Sequence, residues 1–384
     1  MKSFSPRKSM DTNTTQPSRR EFLTKTALFT GGILAFGWPT GRSNSVFAVQ
    51  SRQTLQRGGT VRYLLELDGA IVGPLNTMEN GFVSGDIIMY QDGNDLIMRK
   101  RLGRLKYEDI VLTCGANLSL PFYQWLAGTL DGDGLNPRKN GAIVAVNPNG
   151  QIIDRREFQN TLVKEVQFPA LDGLSNEPAY FTVTLTPERI QYQSASGQAG
   201  PPPQANHVSL NTSRFRLQIQ GLEQACAFVR RIEPLVVKQE IINYQDGRDA
   251  RQSRVSGGRL EVGNLVITLP QHQAGPFTEW FSSFVLQGQI SGNTKQGLLE
   301  FLAPDAQTVL AAVTLHNLGI FRMGPVTREG AYQVQVEMYC ERVQLTQFPG
   351  SGANSTQRQA PRLRRKIPRK PATGKQLPRI QEKK

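Results

Sequence analysis

The residues able to carry chemistry do not gather into a reactive pattern. His207, His272 and His316 are scattered, with no i, i+4 pair and no His-x-His, so they lack the spacing with which imidazoles close on a metal. Asp131-Gly-Asp133-Gly-Leu-Asn136 opens like a calcium loop, yet no Glu follows near the position of the bidentate ligand, and a polar turn is the better reading. Cys114, Cys226 and Cys340 are widely spaced, odd in number and form no Cys-x-x-Cys. They read as small buried thiols rather than as a disulfide framework. No Gly-x-Ser-x-Gly elbow, phosphate-cradling loop or dinucleotide-binding glycine pattern occurs. The expectation is no catalytic residue, no metal, no cofactor and no enzyme.

What does recur is a longer pattern. Ile87-Ile-Met-Tyr-Gln-Asp-Gly-Asn-Asp95 returns as Ile241-Ile-Asn-Tyr-Gln-Asp-Gly-Arg-Asp249, with seven of nine residues identical. Gly103-Arg-Leu aligns with Gly258-Arg-Leu, and Ile110-Val-Leu-Thr113 with Leu265-Val-Ile-Thr268. Pro121-Phe-Tyr-Gln-Trp125 aligns with Pro276-Phe-Thr-Glu-Trp280, and Glu188-Arg-Ile-Gln191 with Glu341-Arg-Val-Gln344. A unit this long is a whole domain, not a solenoid repeat. Tyr90, Asp92, Tyr244 and Asp246 thus recur as candidate subunit contacts. The competing reading is that Asp-Gly sets a turn while Tyr packs on the sheet, and both stand at this point.

The chain of 384 residues carries a formal charge of +14. Residues 1–48 hold seven Lys/Arg against two Asp/Glu, and residues 351–384 hold eleven against one. The intervening 49–350 hold 27 against 28. The body is therefore near neutral and unlike a nucleic-acid binder. Ser18-Arg19-Arg20-Glu21-Phe22-Leu23 forms a twin-arginine motif, followed by an apolar stretch from Ala27 to Trp38 and a small-residue cleavage site ending at Ala48, before Val49. That order is the signature of export, implying transit through the twin-arginine translocase and a periplasmic or extracellular destination. The apolar stretch is short of the ~20 residues that span a bilayer.

These features divide the chain into a signal peptide (1–48), a leader (49–60), a first domain (61–192), a Gly/Pro/Ser linker (193–213), a second domain (214–347) and a basic, Pro-rich tail (348–384). The tail's composition predicts disorder, and its charge suits an anionic surface such as lipid or cell-wall polymer, or nucleic acid, or serves solubility alone. Within each domain, Tyr180-Phe-Thr-Val-Thr-Leu185 and Tyr332-Gln-Val-Gln-Val-Glu-Met338 alternate apolar and polar residues, as half-buried antiparallel strands do. Pro121 and Pro276 each open a segment with Phe and Trp three residues apart, which predicts one packed helix per domain. The fold class expected is mainly β: two tandem β-barrel or sandwich domains, each with one packed α-helix and its own core.

The order of short motifs in the first domain resembles the tail tube proteins of contractile phages and contractile injection systems, a fold similar to the type VI secretion tube protein. The motifs are Tyr90-Gln-Asp-Gly93, Leu102-Gly-Arg-Leu-Lys-Tyr107, Ile110-Val-Leu-Thr-Cys-Gly115, Trp125-Leu126, Arg138-Lys-Asn-Gly141, Asn149-Gly150, Phe158-Gln-Asn160 and Leu171-Asp-Gly173. In the second domain the resemblance rests on Tyr-Gln-Asp-Gly, the Pro-Phe-x-x-Trp helix and the strand pattern, while Arg-Lys-x-Gly is missing. The resemblance implies a structural subunit. In the family six such domains close a ring, and rings stack into a hollow tube. Two domains per chain would then give a trimeric pseudo-hexameric ring, or a hexamer if the two domains enter stacked rings, within a phage-tail-like particle, with other injection-system components as partners. The alternative is a secreted, monomeric two-domain β module that binds a polymer or cell-surface ligand.

Overall fold

The computed structural model describes residues 61–132, 137–194, 197–200, 209–245, 253–328 and 330–347. The export motif from Ser18 to Leu23, the Ala48/Val49 junction, residues 49–60, Asp133, His207, Asp246 and the basic tail lie outside the described residues.

The first half contains β1 (Arg62–Leu67), β2 (Ala70–Leu75), β3 (Thr77–Asn80), β4 (Val83–Tyr90), β5 (Arg99–Tyr107), β6 (Ile110–Cys114), helix α1 (Leu120–Leu130), β7 (Lys139–Val146), β8 (Ile152–Gln167), β9 (Leu171–Asp172), β10 (Phe181–Thr186) and β11 (Arg189–Gln193). The second half contains β12 (Phe215–Ile219), α2 (Glu223–Cys226), β13 (Arg231–Ile232), β14 (Val236–Gln245), β15 (Ser253–Val262), β16 (Leu265–Pro270), α3 (Gly275–Phe281) running into a π-helical turn (Ser282–Leu286), β17 (Lys295–Leu302), β18 (Val309–Arg328), β19 (Ala331–Tyr339) and β20 (Arg342–Gln347). The fold is mainly β, with antiparallel pairing throughout the described ladders, as the alternation requires. β6 buries Ile110, Leu112 and Cys114 and turns Val111 and Thr113 outward.

Two long strands organise the halves. β8 pairs β7 and β11 along its first part and β10 along its last. β18 pairs β17 and β20 first and β19 afterwards. Each changes ladder partners at an asparagine of left-handed backbone, Asn160 (φ 49°) and Asn317 (φ 53°). Asparagine tolerates that region better than most residues. The glycine of Arg138-Lys-Asn-Gly141 also has a steric reason: a Cβ there would overlap the Glu66 carbonyl oxygen and the Phe158 ring.

The helices match expectation in kind and in the role of their tryptophans. Pro121 sits in the first turn of α1, whose buried face includes Phe122, Trp125, Leu126 and Leu130. Trp125 Nε1 donates to the Pro137 carbonyl at 2.7 Å, and Trp280 Nε1 to the Asn293 carbonyl at 3.0 Å. Buried indoles need such a partner. The short α2 was not foreseen.

The separate cores expected for the two domains are instead fused. One continuous cluster of buried side chains runs from Leu65 to Leu345. Phe181 of β10 links Phe168 (ring centroids 5.8 Å apart) to Phe301 of the second half (5.6 Å). Backbone ladders cross as well: β14 adds to β8 and β13 adds to β9. The described parts of 193–213 are also tied to the body, with Ala199 donating to Gly150 and Leu210 accepting from Ala179. Repeated domains need not be thermodynamically separate when each leaves a sheet edge that the other can pair.

Candidate assembly surface

Among the described residues β4 and β5 pair only with each other, as a two-stranded ladder apart from the two large sheets. The hairpin displays exposed apolar side chains. Ile87 and Leu102 stand directly opposite one another and are 65% and 77% exposed. Met89, Leu96, Ile97 and Met98 are exposed too. Scattered surface apolar residues need no explanation, but a contiguous set on one element marks an interaction surface.

Hydrogen bonds hold the tip in shape. Asp95 N donates to the Asp92 carbonyl at 3.1 Å, Ile97 N donates to Asp95 Oδ1 at 3.1 Å, and Arg99 donates to Asp95 Oδ2 at 2.9 Å. Gly93 has φ 56°, the left-handed conformation that glycine enters at little cost. Asp92-Gly93 is thus a turn, with Asp92 itself exposed. Tyr90 does not pack on the sheet: it is exposed, with the Arg101 guanidinium 5.7 Å from its ring centroid. Tyr244 is exposed on β14 in the equivalent register, since Tyr90 faces Arg99 and Tyr244 faces Arg254. The turn half of the turn-and-packing reading therefore fits the first hairpin, and its packing half fits neither tyrosine.

A further polar site was missed in the sequence. Arg138 donates to Glu188 Oε1 at 2.8 Å and to the Val255 carbonyl, while Val255 N donates to the same Glu188 oxygen at 3.2 Å. Arg138 of the first half therefore anchors β15 of the second. The only signal was the Arg-Lys-x-Gly motif, present in one half and absent in the other.

No reactive cluster forms among the described residues. Glu66 is engaged bidentately by Arg155 at 2.9 and 2.7 Å, and Asp109 accepts from Lys164 and Thr186, each at 2.6 Å. His272 is exposed, and His316 stands apart on β18. Among the described residues no three His, Cys, Asp or Glu side chains converge as metal ligands. All three cysteines are buried and free. Burial pushes the Cys114 and Cys226 thiols up to about 12 and that of Cys340 to about 11, from an ordinary 9.0. They stay neutral, not the thiolates that nucleophilic catalysis uses. Native protein at pH 8 is expected to leave all three unreacted with a thiol-specific chromogenic disulfide until denaturant is added; one fast-reacting thiol would contradict their burial. By linkage, an unfolded thiol ionises near 9 while the folded one does not, so stability falls as pH rises through roughly 9 to 12.

Residues 59–191 match the family model described as T4-like virus tail tube protein gp19. No curated protein matches the chain. Among solved structures, a component of the sheath-tube complex of an extracellular contractile injection system is 22% identical, covering 35% of this chain and 89% of its own, at a TM-score of 0.31. A component of the anti-feeding prophage cap is 25% identical over 35% of this chain and 89% of its own, also at 0.31. Hcp1 from Flavobacterium johnsoniae is 15% identical over 36% of this chain and 99% of its own, at 0.24. The family match bears out the tail tube resemblance read from the sequence, over residues 59–191.

Proposed function

We propose that this protein is a non-enzymatic structural subunit of a tube-like assembly related to contractile injection systems, exported through its twin-arginine leader. The reading takes 61–192 and 214–347 as two tube-type units, so that three chains supply six units to a ring. The observation that carries it is the β4–β5 hairpin, whose apolar cross-strand pair Ile87 and Leu102 stays exposed among the described residues. Burial of such a surface contributes roughly 25 cal/mol for each Å² removed from water, so a second subunit is the economical cover. The basic tail from 348 onward would hold the assembly to an anionic surface through charge attraction. Sheath- or baseplate-type components would be its other partners.

Negative-stain imaging of the purified protein tests the assembly reading. Rings or tubes are expected, and a field of isolated single particles would contradict it. Export is tested separately. With Arg19 and Arg20 both replaced by Lys, the full-length precursor is expected to stay in the cytoplasm, because a lysine ammonium lacks the planar guanidinium fork that a receptor can read. Unchanged fractionation would remove the export reading and leave the assembly reading standing.

A further inference from the structure

We infer that copies of this chain join head to tail, the second half of one docking on the first half of the next through a repetition of the junction that already unites the two halves. The inference rests on the assembly reading above and specifies its contact.

The internal junction supplies the template. On the first-half side are the end of β8, strand β9 and the C-terminal part of α1. On the second-half side are β13, the start of β14, and β20. Val166 stands opposite Val237 and Glu165 opposite Lys238, whose side chains pair at 3.5 Å. Phe168 N donates to the Leu235 carbonyl at 2.8 Å, and Gly173 N to the Arg230 carbonyl at 2.7 Å. Arg231 pairs with Asp172 at 3.1 Å. The apolar side chains here are sealed: Val166 and Phe168 are 2% exposed, Leu235 1% and Val237 3%.

Ladder register identifies the counterpart of each partner in the other half. β3 meets β6 at Thr77↔Thr113, as β13 meets β16 at Arg231↔Thr268. β4 meets β5 at Val83↔Tyr107, as β14 meets β15 at Val237↔Val262. β8 meets β10 at Val166↔Val183, as β18 meets β19 at Met323↔Val336, each beside a bulge. The counterparts of the joined edges are therefore 77–84 in the first half and 322–328 in the second.

Both counterpart edges are open among the described residues. Residues 322–328 have a ladder partner on one side only, β19, and 83–84 on one side only, β5. The apolar side chains there are correspondingly less covered. Met78, Val83 and Met323 are only partly buried, and Phe82 and Phe321 are exposed. The helices agree. Leu130 at the end of α1 is buried at the internal junction, whereas Val285 and Leu286, at the equivalent end of α3 and its π turn, are exposed. An open strand edge with apolar flanks is a template for adding another strand. The internal junction shows which strand fits: 82–84 of a second copy, laid against 322–324 as 236–238 lies against 165–167. One departure is visible. Pro325 stands where Phe168 donates its N–H, so that bond is missing in the copied ladder. The two edges differ, so the contact is heterologous, and repeating it generates a closed ring or an open chain.

Site-directed cross-linking tests the register. Ser84 and Arg322 are the counterparts of Lys238 and Glu165. Opposed Cα atoms of an antiparallel ladder lie about 4.5–5.5 Å apart, within the disulfide range of about 4.4–6.8 Å. The full chain carrying S84C together with R322C is expected to shift on oxidation from the monomer band to covalent multimers on a non-reducing gel. V83C with M323C reads the adjacent rung and is expected to do the same. Each single variant should remain in the monomer band, because its new thiol meets no second one and the native thiols are buried. Thermal melts matching the parent establish that the variants fold. If folded double variants elute as oligomers yet neither cross-links, the head-to-tail contact is wrong and the assembly reading stands. Elution as monomers without cross-linking overturns both. A dimer band from a single variant would show a self-complementary contact and overturn the inference.

Discussion

Trp125→Ala and Trp280→Ala are each expected to destabilise the protein by about 3–5 kcal/mol, the usual cost of truncating a buried tryptophan. Trp125 is 2% exposed and Trp280 4%, and each truncation also leaves a carbonyl, of Pro137 or Asn293, without its indole donor. The fused core adds a sharper expectation. Because Phe181 bridges Phe168 to Phe301 and β8 carries β14, damage in either half should lower one cooperative transition for the whole body. Denaturant melts followed by far-ultraviolet circular dichroism and by fluorescence should superimpose in both variants. Two separable transitions, each sensitive to one tryptophan, would restore two independent domains.

Replacing Ile87 and Leu102 together with Lys should disperse the assembly while changing the stability of the single chain by no more than about 0.5 kcal/mol, as is normal at exposed positions. Among the described strands none joins the ladder that carries the pair, and both side chains lie outside the core. An interface would lose far more, because two like charges would have to be desolvated where apolar groups should meet. Imaging of the variant beside the parent checks this. Intact rings or tubes in the double-Lys protein would show that the hairpin takes no part in assembly.

Much of the fold was legible because its signals are local. Alternation in Tyr180–Leu185 fixes which residues face the core, and Pro121 with Trp125 marks both the start and the buried face of α1. The cross-over asparagines were not legible. Nothing in the composition of Phe158-Gln-Asn160 says that a single left-handed residue hands a strand from one set of ladder partners to another. The fused core was hidden for a different reason. Hydrophobic periodicity shows that a side chain is buried, not which half buries it; Val166 and Val237 of opposite halves stand opposite one another. For the candidate surface, the repeated Tyr-Gln-Asp-Gly drew attention to the hairpins. Nothing in the residues around it says that Ile87 and Leu102 stay in solvent. The role of Arg138 is not legible in its motif, because its partner Val255 lies 117 residues away.

Native mass spectrometry of the purified protein at micromolar concentration bears most directly on the central claim that this chain is an assembly subunit. The account predicts a dominant species of three chains, six tube-type units closing one ring. A hexamer would replace the three-chain ring with another arrangement of the same units. A stable monomer would contradict the claim outright.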